Sequence, residues 1–317
     1  MGRVRHMANT QLLRIVFAAI GSFVLFAALI FMPFAPVPVA AIGLSFGVMQ
    51  ALMVSALAVI MTAIILSPAL AIVFAITFLV PTVGLGAPSP AVAPADDGAY
   101  IFFPVQQLIL LVLGMTGIGT GLLFAITGGA DGLPLAFANA IQQSPEVRAA
   151  LVQISGISSD EEMLWIANVM LVTGFASWPL LLLGNMQIAQ ALLVRVGRNL
   201  RPQENYDILQ LPQWLVGPLV IFMSGAALLP GWAATLSAAL AAMIAAAYFL
   251  LGLAIIHAIS RHWNGRGFLL AGLYFLIFAM AWVIIPVSLM GLLDTRFDFR
   301  KLNQRPDKPS NVEGDEE

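Results

Sequence analysis

The sequence predicts an all-α protein, a polytopic bundle of about eight transmembrane helices. Three observations carry that expectation. The chain of 317 residues is 60% hydrophobic and only 9% charged, whereas a soluble domain carries roughly 25% charged residues. Charge is absent over residues 15–95, 208–260 and 267–293. Within the last third, Ala234, Ala238, Ala242 and Ala246 recur every four residues. That spacing puts small side chains on one helix face, where a neighbouring backbone can approach closely. So little charge cannot clothe a surface in water, so most of the surface faces lipid.

The same composition excludes several classes of function. The formal net charge is -2, so no basic field draws nucleic acid. With no cysteine, there are no disulfides, thiolate metal sites or cysteine nucleophiles.

Taken in order, the first span is residues 15–32. Arg3, Arg5 and Arg14 precede it, as in a signal peptide. The apolar run is longer than a signal core and more spans follow, so it is read as an uncleaved helix. Pro33, Pro36 and Pro38 break it. Span two is residues 40–66; its first part, with Gly43 and Gly47, either crosses with the rest or re-enters. Ser67-Pro68 separates it from span three, residues 69–85. Residues 86–100, rich in proline and alanine with Asp96 and Asp97, form a loop in water. Span four, residues 103–127, carries Gly117 and Gly121 as a G-x-x-x-G pair, continued by Ala125.

Ser144-Pro145 then opens a short surface helix striped by Val147, Leu151 and Ile154. Ser159 and Glu162 have capping-box spacing at the start of span five, residues 163–194. Pro179 is expected to bend or locally unwind it. Arg195, Arg198 and Arg201 follow. Span six is residues 214–229, span seven 233–259 and span eight 268–293. Seven and nine are the neighbouring counts. Residues 1–301 form one membrane domain, and 302–317 a disordered polar tail. Eight spans put both termini on one side, with nine of the 14 basic residues; positive-inside makes that side cytoplasmic. The location is a bacterial inner membrane.

No assigned span contains a charge, although membrane proteins that relay protons or sense voltage usually need one. No H-E-x-x-H or G-x-x-x-x-G-K-[ST] run occurs, so neither a metalloprotease nor a phosphate-loop ATPase is indicated. No cofactor, metal or enzymatic activity is expected. His257, near the end of span seven, reads as an interfacial hydrogen-bonding residue. Amides in lipid must find partners. Gln106, Asn168, Asn185, Gln187 and Gln190 either tie helices together or, with Trp178, line a pocket for a small neutral or aromatic ligand. Gly117, Gly121, Ala238 and Ala242 are the helix-packing positions, internally or against another subunit. Asp294, Arg296, Asp298 and Arg300, alternating with Phe297 and Phe299, read as an interfacial anchor or a docking motif.

The run from Asn185 through Gln187, Ala189 and Gln190, followed by its arginine cluster, resembles a helix end of the YybS-like bacterial predicted membrane proteins. Gly291 to Asp294 with Phe297, Asp298, Phe299 and Arg300 resembles that family's closing segment, and Pro36-Val-Pro38 before a glycine-bearing span also fits. The resemblance covers about residues 10–301. It implies a distant likeness to the substrate-binding subunits of energy-coupling-factor transporters, bundles that dock on a helical partner beside a separate membrane ATPase. This chain departs from them in having more than their usual six spans and no recognisable ligand motif. Its first span offers only Ala18 and Ser22 in place of a clean Ala-x-x-x-Ala face.

Overall fold

A computed structural model describes residues 2–86, 104–127, 132–156, 159–198 and 209–297. All regular structure among them is helical. Helix α1 is Gly2–Ala27, α2 Pro36–Phe46 and α3 Val48–Ile65. One long span follows as α4, Pro68–Phe74, a π-turn at Ala75–Leu79, and α5, Val80–Gly86. Then come α6, Val105–Ile126; α7, Gly132–Gln142; α8, Pro145–Ser155; and α9, Asp160–Arg195. The last four are α10, Val216–Leu228; α11, Gly231–Ile259; α12, Arg266–Ala279; and α13, Ile284–Phe297.

The residues group into two compact units: 1–205 with 214–247, and 206–213 with 248–317. The first half of α11 belongs to one and the second half to the other.

Among the described residues six helices are long and apolar enough to cross a membrane, or seven if the bent pair α12–α13 counts as one span. Chain geometry explains the difference from eight. Helix α10 has 13 residues and reaches only about 20 Å, short of a hydrocarbon core of about 30 Å. Span eight is broken: α12 and the helix after it meet at 119° around Met280. Span two is also interrupted. Gly47 has φ of +90°, which an L side chain rarely adopts, and it separates α2 from α3. Residues 32–46 are left as a short apolar helix.

Local signals in the sequence decide the ends. Ser67 caps α4 by accepting from the Leu70 amide at 3.2 Å. Ser159 and Glu162 form a complete capping box at the start of α9: the Glu162 amide donates to Ser159 Oγ at 3.3 Å and the Ser159 amide to Glu162 Oε2 at 3.1 Å. Of the bend or local unwinding expected at Pro179, the unwinding does not occur: α9 runs helical through it. The short helix read from Ser144-Pro145 is α8, and a further helix, α7, precedes it. Ser144 sits at the start of α8 but its hydroxyl donates back to the Ala140 carbonyl.

In the first unit the core gathers Ile15, Ala19 and Phe26 of α1 with Val39, Ala51, Val54, Ala58, Phe74 and Phe78. The Phe26 and Phe74 rings stack at 4.0 Å. Small residues bring α1 onto α2, and buried Ser22 donates to the Ala35 carbonyl at 2.7 Å. The burial of such apolar side chains is worth about 1.5–3 kcal/mol each in water. In lipid the gain is packing and hydrogen bonding rather than escape from solvent.

Proline chemistry explains one long-range contact. Pro81 has no N–H to offer the Thr77 carbonyl four residues back. The indole N–H of Trp178 donates to that carbonyl instead, tying α9 to the π-turn.

In the second unit α11 and α13 touch backbone to backbone. A Cβ built on Gly252 would lie 2.0 Å from the Val287 carbonyl oxygen, and one on Gly291 would lie 2.0 Å from that of Tyr248. The reciprocal register makes the pair antiparallel. Glycine Cα–H groups face carbonyl oxygens at these points, a contact typical of close helix crossings.

Candidate functional site

The amides singled out in the sequence are placed by α6 and α9. Asn185 is buried and donates through Nδ2 to the Pro33 carbonyl at 2.7 Å. Pro33 precedes α2, and α2 packs against α9. Asn168 donates to the Leu164 carbonyl and accepts from Thr235 Oγ1 at 2.6 Å, joining α9 to α11. Gln190 is buried and Gln187 half-buried, and both are engaged within the protein. Gln106 is exposed on α6, away from Asn185. Trp178 is buried with its N–H already used. The structure thus joins Asn185, Gln190 and Trp178 on the buried side of α9 and leaves Gln106 outside that group.

The packing positions also divide. Gly117 faces Leu240 of α11 at an ordinary 3.5 Å, and nothing approaches Gly121 within 4 Å. The tight glycine of α6 is Gly119, where a Cβ would meet the Trp178 ring at 2.9 Å and Ile76 at 3.3 Å. Ala238 and Ala242 are half-buried along α11, which is 67% buried over its apolar window, against 28–44% for the other candidate spans.

The tail residues change role most. Asp294 is not in a solvated tail: it lies in α13 and is only 5% exposed. Arg296 is exposed one half-turn on. Asp298 and Arg300 lie outside the described residues. The spans read from sequence stop short of any charge, but the helices run further and take in Arg14 in the middle of α1 and Asp294 near the end of α13. Arg14 rests its guanidinium over the Phe46 ring, 4.7 Å from the centroid.

Around Asp294 the second unit holds a cavity of about 390 Å³, lined by Gln210, Leu211, Pro212, Gln213, Leu251, Asp294, Thr295 and Arg296. Its first wall is a non-helical segment. Leu209 and Leu211 are buried while Gln210 between them is exposed, an alternation that marks extended chain; Gln213 then opens a short 3-10 turn, Gln213–Leu215. Pro212 favours that conformation in the residue before it. The second wall is the end of α13, where the last carbonyls have no partner within the helix. Gln213 Nε2 donates to the Thr295 carbonyl at 3.1 Å, and Thr295 Oγ1 to that of Leu292 at 2.6 Å. Leu251 backs the pocket.

The electrostatics favour a cation deep in the site. A buried carboxylate and the negative end of a helix dipole lie together, and a guanidinium stands at the exposed edge. Asp294 is already engaged within the protein. A carboxylate offers about four lone-pair sites to its partners. Sequence reasoning missed Gln210, Gln213, Leu251 and Thr295. The available signal was Gln-x-x-Gln at 210–213, two amides at the opening of a charge-free run.

His257 is half-buried and bonded within the protein. Its Nδ1 donates to the Leu253 carbonyl at 2.9 Å, leaving Nε2 to accept from Tyr274 Oη at 3.4 Å. Among the described residues no three His, Cys, Asp or Glu gather where a metal could bind. Compared with family models, curated proteins and solved structures, the chain matches none.

Proposed function

We propose that this chain is a multi-pass membrane protein without catalysis of its own. It binds a small molecule in the Asp294 pocket and serves as a transport subunit energised by a separate membrane ATPase. The observation that carries the reading is a buried carboxylate opening onto a cavity of about 390 Å³, because a carboxylate withdrawn from water is costly and is kept where it is paired or used. The likeness to energy-coupling-factor binding subunits, through the YybS-like pattern, supports the same reading. The lack of a phosphate loop in the sequence is the reason for a borrowed ATPase. We place the protein in a bacterial inner membrane with both termini cytoplasmic; six crossings keep the termini together and seven part them.

The test is ligand-dependent thermal stabilisation of the detergent-purified chain across a broad metabolite panel, with co-purification from native membranes. Stabilisation that disappears in Asp294→Asn supports the reading. No shift across the panel, together with no ATPase in the purified material, overturns it.

A second reading, an envelope scaffold with no ligand, is favoured by α8. This helix is exposed along most of its length, and Val147 is 46% exposed although Leu151 packs against Ala138, Ile141, Met163 and Ala167. Deleting residues 145–155, or truncating after Phe297 and so sparing the pocket, then abolishes partner capture while membrane insertion survives.

A further inference from the structure

The pocket's charges are arranged for one class of molecule. Its deep acceptor is Asp294, 5% exposed, reinforced by the carbonyl end of α13. Its rim carries the exposed guanidinium of Arg296. A cation alone would leave Arg296 unused, and an anion alone would have to approach a buried carboxylate. A molecule with both charges, cation inward and anion outward, answers both. The amides of Gln210 and Gln213 at the walls supply neutral donors and acceptors between the two ends.

The height of the pocket narrows the class. Helix α13 is apolar through Leu293 and charged from Asp294, so the cavity sits where hydrocarbon gives way to headgroups. Resting on the binding reading of this same pocket, we propose that it takes an ammonium–phosphate zwitterion. That is the chemistry of a phosphatidylethanolamine headgroup, with the ammonium on Asp294 and the phosphate on Arg296. A primary ammonium donates up to three hydrogen bonds to carboxylate and carbonyl oxygens. A trimethylated one donates none, so phosphatidylcholine is discriminated against. Guanidinium pairs with phosphate oxygens in a planar fork.

The full chain, purified in detergent, is titrated separately with phosphatidylethanolamine, phosphatidylcholine and phosphatidylglycerol at equal mole fraction, and with soluble phosphoethanolamine. Phosphatidylethanolamine is expected to raise the unfolding midpoint by about 5 °C over the other two lipids at saturation. Arg296→Ala, an exposed position, is expected to weaken that effect about tenfold in lipid concentration without unfolding the chain. Asp294→Asn is expected to abolish it. A shift with phosphoethanolamine as well assigns the site to a free zwitterion, and a shift with the lipid alone assigns it to the membrane.

Equal response to all three lipids and none to phosphoethanolamine overturns the proposal, as does a phosphatidylglycerol response alone. If a different chemical class stabilises the chain and Asp294→Asn removes that effect, the zwitterion falls but the binding pocket stands. If nothing stabilises it, both fall.

Discussion

Two glycine pairs in this protein look alike in purpose and differ in what they do. Gly117 and Gly121 of α6 have the spacing associated with close helix packing, yet one meets a leucine methyl at an ordinary 3.5 Å and the other meets nothing within 4 Å. Gly252 and Gly291 belong to no G-x-x-x-G run, yet each leaves only 2.0 Å between a built Cβ and a carbonyl of the opposing helix. Close approach depends on two helices meeting at one point, and the spacing within one helix only makes it possible.

The strongest way to break this comparison is at the second pair. Gly291→Val or Gly252→Val must push apart two rigid backbones, because the obstructing atoms are carbonyls rather than flexible side-chain ends. A loss of about 3 kcal/mol or more is expected, read as a large fall in the thermal midpoint in detergent. A midpoint near wild type would show that the α11–α13 crossing is not so close.

Next in size is Gly119→Ala, whose Cβ collides with the Trp178 ring and strains the indole bond to Thr77. The expected cost is about 1–3 kcal/mol, with a change in tryptophan fluorescence as an independent readout. Asn185→Leu removes the bond to the Pro33 carbonyl and leaves that carbonyl bare, at about 1 kcal/mol. Gln106→Leu, on an exposed side chain, serves as its control and is expected to change stability by less than about 0.5 kcal/mol. The smallest effect belongs to Gly121→Ala. It is expected to be neutral or to stabilise by at most about 1 kcal/mol, since alanine is the better helix former and space is open. A large loss there would restore the G-x-x-x-G reading of α6.

Asp294 makes the same point about charge. In the sequence it stands one residue past an apolar run, beside Arg296 and Phe297, and looks like the start of an anchor. Burial follows from α13 continuing past Leu293 and from Gln213 closing over its end. The capping signals were legible because they are local: Ser67 with the Leu70 amide, and Ser159 with Glu162, each span only three residues. The π-turn at Ala75–Leu79 and its link to Trp178 were not legible. Pro81 announces a missing donor, but nothing local says which distant group replaces it.

Composition by itself determined that lipid is the solvent and that the chain is helical, since so few charges cannot cover a surface in water and backbone groups in hydrocarbon must bond within their own helix. Tertiary structure alone decided which glycines meet a carbonyl, that span eight turns through 119°, and that Asp294 closes a pocket. Each of those facts depends on distances between atoms far apart in the chain, and a helical repeat carries no information about its partner.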